Sequence, residues 1–189
     1  AQAVYSGHLC ARELEAPVDI DQPLRHERPA LTERDPGRKY RETLTLYYEE
    51  EIQGEAYFDT MAERMDDPDH AQKMRLMADV ERRAAAHVRP LLARHGLEPR
   101  PADTLLAEGR DEAEADSKDW DTLIAQMRRT FPGYITDFLR LEAMAPIDDR
   151  GPLACLTAHE TAAIEFLERE AAGRSDSTEP LMHYIAEPH

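Results

Sequence analysis

The stretch EEEIQGEAYF, residues 49–58, sets two demands against each other. Tyr40, Leu44, Tyr47, Phe58, Met61 and Met65 recur at helical spacing, which predicts one long helix from Arg38 to Met65 with an apolar stripe. On a wheel of about 100° per residue, Glu51 and Glu55 fall inside that stripe, between Tyr47 and Phe58. A stripe that faces a core has no ordinary reason to carry acid, so the rest of the chain must supply one.

The remaining chain reads as more helix. Its 189 residues are 41% hydrophobic, only 6% aromatic and 33% charged, rich in Ala, Leu, Glu and Arg and without alternating β-branched runs. Asp67-Pro68 supplies an N-cap and a favoured first residue for a second helix from Pro68 to His95, with Gly96 as its stop and Pro90 as an expected kink. Residues 97–116 form a long crossover with a short helix around 103–113. A third helix is predicted from Ser117 to Ala145, kinked or broken at Pro132-Gly133, and a fourth from Pro152 to Ala172 ahead of Gly173. A short piece near Glu179 to Ile185 caps the assembly. Pro17, Pro23, Pro29 and Pro36 punctuate the first 37 residues, which read as an extended arm. The expected architecture is all-α: an arm over 1–37, then an antiparallel four-helix bundle over 38–189 with its crossover between helices two and three.

Each later long helix repeats the anomaly of the first. Glu81 follows Met77 by four residues and precedes Val88 by seven; Glu142 follows Phe138 by four; Glu160 follows Leu156 by four and precedes Leu167 by seven. Glu49, Glu63, Glu165 and Glu168 fall mostly on outward or boundary arcs, so the inward pattern is not simply acid everywhere. Removing one ionised carboxylate from water costs several kcal/mol, and clustering adds repulsion, so these groups need shared protons or cations. Divalent metals bridged by carboxylates offset that charge directly.

Composition narrows the partners. A formal net charge of −16 opposes a phosphate-tracking surface, which excludes nucleic acid as the expected partner. Cys10 and Cys155 lie far apart with no C-x-x-C, signalling neither a disulfide framework nor a zinc site. No apolar run is long enough to span a bilayer and no basic-then-apolar leader is evident, so the expectation is a soluble, cytoplasmic chain without membrane contact.

With one inward glutamate per long helix, the chain resembles the ferritin-like superfamily of di-iron carboxylate proteins, including rubrerythrins and related oxidases and hydroxylases. The resemblance spans about residues 38–172, and GEAYF at 54–58 looks like the family's first-helix glutamate motif. It implies Glu55 as a ligand, with Glu51 one turn earlier as an added or alternative carboxylate. The family's Glu-x-x-His pairs on helices two and four are here ERRA and ETAA, so Ala84 and Ala163 stand where histidines are expected. His159, beside Glu160, and His87 are the nearby nitrogen donors. The implied metal set is Glu51, Glu55, Glu81, Glu142, His159 and Glu160 around two iron or manganese ions, with Glu81, Glu160 and His159 as catalytic candidates.

Three functions follow as expectations. The first is a di-metal oxidoreductase acting on a small organic substrate with dioxygen or peroxide. The second is a metal-free isomerase or lyase in which the glutamates act as general acid and base. The third is a non-catalytic binding or metal-storage protein on the same bundle. A homodimer is compatible with the enzyme and binding-module readings, whereas metal storage calls for a large hollow assembly.

Overall fold

The computed structural model describes residues 36–187. Cys10 and the arm expected over 1–37 lie outside them, except that Pro36 and Gly37 already belong to the first helix. The described chain is all-α: α1 Pro36–Arg64, α2 Pro68–His95, α3 Ala102–Ala115, α4 Trp120–Thr130, α5 Pro132–Met144, α6 Arg150–Ala171 and α7 Glu179–Ala186, with a single 3-10 turn at Ile147–Asp149 before α6. No strand occurs among the described residues.

Local chemistry explains the boundaries. Asp67 accepts hydrogen bonds from the backbone N–H of Asp69 and His70 at 2.7 and 3.4 Å, capping α2 one residue before Pro68. Gly96 ends α2 with φ 62°, the left-handed conformation that glycine tolerates best. Pro90 lies inside α2, and the helix continues through it to His95. The predicted third helix is two helices, because Pro132 has no N–H to donate and the hydrogen-bond ladder stops at Phe131.

The expected crossover is more than a connection. α3 packs along α1 almost as extensively as α2 does, so α1 is covered on opposite sides. Residues 47–58 of α1 are therefore buried all round except at Glu55. Glu49, expected to face outward, is buried under this cover, where its carboxylate accepts from the Arg100 backbone N–H at 2.8 Å and Nε at 2.7 Å.

Two apolar cores result. One joins Phe58 and Met61 of α1, Met74, Met77 and Val80 of α2, Ile124 and Met127 of α4, and Phe166 and Leu167 of α6. The other joins Leu44 and Tyr47, Val88 and Leu91, Phe138 and Leu141, and Leu153 and Leu156. α1 and α2 cross between cores at residues 52–57 and 80–84, and α6 between 156 and 162. α4 and α5 cross between Phe131 and Phe138, where Tyr134 packs against both cores.

The α1–α3 approach depends on Gly109, where an added Cβ would lie 2.2 Å from the Gln53 carbonyl oxygen. By helix propensity alone Gly109→Ala would stabilise by about 1 kcal/mol. The clash reverses that sign, and chemical denaturation should report a net loss of about 1–3 kcal/mol. A gain in stability would mean that α3 does not rest on α1 this closely.

Candidate metal centre

Glu51, Glu81, His159 and Glu160 meet at the waist between the two cores. Glu81, His159 and Glu160 sit where their helices pass from one apolar cluster to the other, and Glu51 lies at the end of the second cluster, one residue before Ile52. All four are at most 3% exposed. One ligand atom from each of Glu51, Glu81 and His159 lies within 4.8 Å of the others. His159 Nε2 is 3.4 Å from Glu51 Oε2, 3.8 Å from Glu81 Oε2 and 3.7 Å from Glu160 Oε2.

The opposite imidazole nitrogen fixes the ring. His159 Nδ1 lies against the Leu156 carbonyl oxygen, which can only accept, so Nδ1 carries the hydrogen and Nε2 turns its lone pair to the carboxylates. This is the arrangement by which metal-binding histidines are commonly oriented. The ring is further held by Phe138 at 5.4 Å and Tyr184 at 6.3 Å between centroids.

Electrostatics describe a centre short of positive charge. Burial pulls His159 down to about 4, despite the Leu156 carbonyl acting the other way, so the imidazole is neutral at pH 7. Burial raises Glu51 well above its ordinary value, with the charges of Glu81, Glu160 and Glu50 adding to the effect. Burial and the Glu81 charge do the same to Glu160. Glu81 is pushed up to about 7, chiefly by burial, with Glu51 opposing the rise and Glu55 adding to it. The bond between Glu51 and Glu81 needs a proton that the two carboxyls share, and among the described residues no other donor reaches Glu51 Oε2, either Glu81 oxygen or Glu160 Oε1.

The inward glutamates are not all gathered here. Glu55 is turned away: its carboxylate pairs with Arg82 Nε at 2.8 Å in a network that includes Asp59 and Asp79. Glu142 is half-buried and accepts from the Thr157 hydroxyl. Ala84 and Ala163 are fully buried packing residues, one in each core. The nitrogen comes from the residue before Glu160 rather than from three residues after it. His70 stacks on Trp120 at 4.0 Å, and His95 Nε2 meets Asp149 Oδ2 at 2.6 Å, so both serve packing. His87 is half-buried and outside the group.

Two tyrosines complete the walls. The Tyr134 phenol is raised by burial and by the charges of Glu50, Glu160, Glu112 and Glu81. Tyr184, on α7, is raised by burial and then by Glu51, and Arg83 lies 6.0 Å over its ring. The HE dipeptide at 159–160 was a sequence signal for the imidazole; nothing local marked Tyr184.

The geometry accommodates a cation. Two carboxylates, Glu51 and Glu81, and the imidazole lone pair converge on one buried point, with Glu160 Oε2 3.7 Å from the same nitrogen, and a divalent ion there offsets the carboxylate charge. Compared with known proteins, the chain matches no family model, no curated protein and no solved structure.

A pH dependence follows for the metal-free protein. Carboxyls raised in the fold contribute fully below their ordinary value of 4.5, and that stability is lost as pH rises through about 7 for Glu81. His159, lowered in the fold, acts oppositely: its contribution is present above 6.5 and lost as pH falls towards about 4. Within this cluster only the carboxyls still titrate above 6.5, so their contribution to Tm should fall between pH 6.5 and 8 and Glu51→Gln should flatten the slope. Equal slopes in the two proteins would contradict the buried acid cluster.

Proposed function

We propose that this chain is a ferritin-like, metal-dependent oxidoreductase whose Glu51, Glu81, Glu160 and His159 hold iron or manganese for oxidation of a small organic substrate by dioxygen or peroxide. The observation that carries the reading is the convergence of buried carboxylate oxygens on a neutral, oriented imidazole. Bound iron or manganese would supply the redox change and the open coordination position that such chemistry requires.

The side chains have separate tasks. The carboxylates would offset a divalent charge, giving up their shared protons to do so. Leu156 holds the imidazole lone pair towards them, and the two apolar cores exclude bulk water. The assembled set suffices for one ion. A two-ion centre needs further ligands, and Glu55 and Glu142 are engaged with Arg82 and Thr157. We therefore propose one ion per chain.

Elemental analysis and Mn(II) titration of purified protein test this. The expected uptake is about one ion per chain, with stabilisation of about 2.7 kcal/mol at a hundredfold excess over Kd. Affinity should be higher at about pH 7.5 than at about 5.5, because protonated carboxyls must lose their protons to bind. Glu81→Ala and His159→Ala should each abolish uptake. Iron-dependent dioxygen consumption with an organic reductant would support the oxidase assignment, and absence of metal uptake would overturn it.

The Glu81 value near 7 favours a second reading. A carboxyl poised at neutral pH beside Glu51 suits general acid and base catalysis without metal, as in an isomerase or lyase. Activity that survives chelation and disappears in Glu81→Gln would select it.

A further inference from the structure

A groove of about 500 Å³ runs between α6 and α7. Its floor is apolar, formed by the buried Ala162, Pro180 and Tyr184, with the exposed Met182 beside them. Tyr184 is the inner wall: it lines the groove, its ring lies 6.3 Å from that of His159, and the charges of Glu51 and Glu81 reach its phenol. Occupancy of the groove is thus separated from the carboxylate cluster by a single layer of side chains.

The rim carries charge of one sign. Glu165, Glu179 and Glu187 line it, and Arg169 is the one arginine or lysine in the lining among the described residues. That guanidinium is already shared between Glu165 at 2.6 Å, Glu179 at 3.2 Å and Asp176 at 3.4 Å. His183 is engaged with Glu187 at 3.2 Å. An incoming anion would meet excess carboxylate with no uncommitted arginine, whereas an incoming cation meets carboxylates whose charge one arginine does not balance. The chain's net charge of −16 attracts the same class of ligand.

We propose that the α6–α7 groove binds the substrate, and that the substrate is a small organic cation: an amine head at the Glu165–Glu179 rim and an apolar body on Tyr184 and Met182. The volume suits a compact organic molecule and exceeds what a bare ion needs. Describing the ligand as a substrate rests on the oxidoreductase reading; its charge and its place rest on the groove alone.

Calorimetry with hexylamine, hexanoate and hexanol tests the groove, because the three probes differ in head group but not in alkyl chain. Hexylamine should bind metal-free protein with a Kd about tenfold below those of hexanoate and hexanol. Thr161→Trp, an exposed change that fills the groove, should abolish binding. The double variant Glu165→Gln with Glu179→Gln, also exposed, removes two rim carboxylates and leaves Arg169 with Asp176, so the preference for hexylamine over hexanoate should be lost. In manganese-loaded protein the bound amine's protons should show enhanced relaxation from the nearby ion.

Failure of hexylamine to bind, equal affinity for the three probes, or binding unchanged by Thr161→Trp would each overturn the proposal. So would a dimer dissociated by Thr161→Trp, which would assign the groove to a second copy of the chain. Amine binding in protein that takes up no manganese would keep the ligand site and remove only its link to oxidation, so the two readings fail separately.

Discussion

The structure depends on one constraint: three carboxyls and an imidazole are held out of water at the level where two apolar cores meet. Burial of ionised groups costs several kcal/mol each, and among the described residues no arginine or lysine pairs with any of the three carboxylates. The cost falls on the whole fold, because Glu51, Glu81 and the His159–Glu160 pair come from three different helices. α1, α2 and α6 must be in register for the groups to meet, and the cores on either side enforce that register. A cluster with so little stabilising value of its own is intelligible as a receptor for positive charge.

The surrounding architecture keeps that point dry. α3 lies over the far side of α1, with Gly109 allowing close backbone approach, so the helix that presents Glu51 is shielded there too. Separate polar pairings tie this layer down: Tyr57 donates to Asp116 at 2.7 Å, and Arg100 reaches both Glu49 and Glu108. At the opposite end of the assembly, Asp149 accepts from Tyr40 at 2.8 Å and meets Arg94 and His95, joining the start of α1, the end of α2 and the start of α6. These partnered groups contrast with the carboxyls at the waist, which no arginine or lysine among the described residues pairs.

Much of this was legible in the sequence. Asp67-Pro68 and Gly96 marked α2 to the residue, because capping is local chemistry. Glu51, Glu81 and Glu160 were readable as inward because apolar residues flank each at helical spacing. His159 was harder, since a wheel places it at the edge of a single stripe. α6 packs against α2, α4, α5 and α7, so its buried arc is wider than one stripe and includes position 159. Glu55 misled for a related reason: a wheel fixes a side chain's direction but cannot supply Arg82 on the adjacent helix. Glu142 sits at the edge of the narrow strip formed by Phe138, Leu141 and Ala145, where Thr157 reaches it. The cover over Glu49 was concealed because α3 buries only Leu105, Gly109 and Ala113, too few residues to announce a packed helix within an acidic, proline-bearing stretch.

The central claim is that the waist is one metal site built from four named side chains, and anomalous diffraction from a crystal soaked in Mn(II) tests it most directly. The account predicts a single dominant anomalous peak in contact with Glu51, Glu81, Glu160 and His159 Nε2. An ordered waist with no peak, or manganese bound only at surface carboxylates such as those around Arg82, would contradict it.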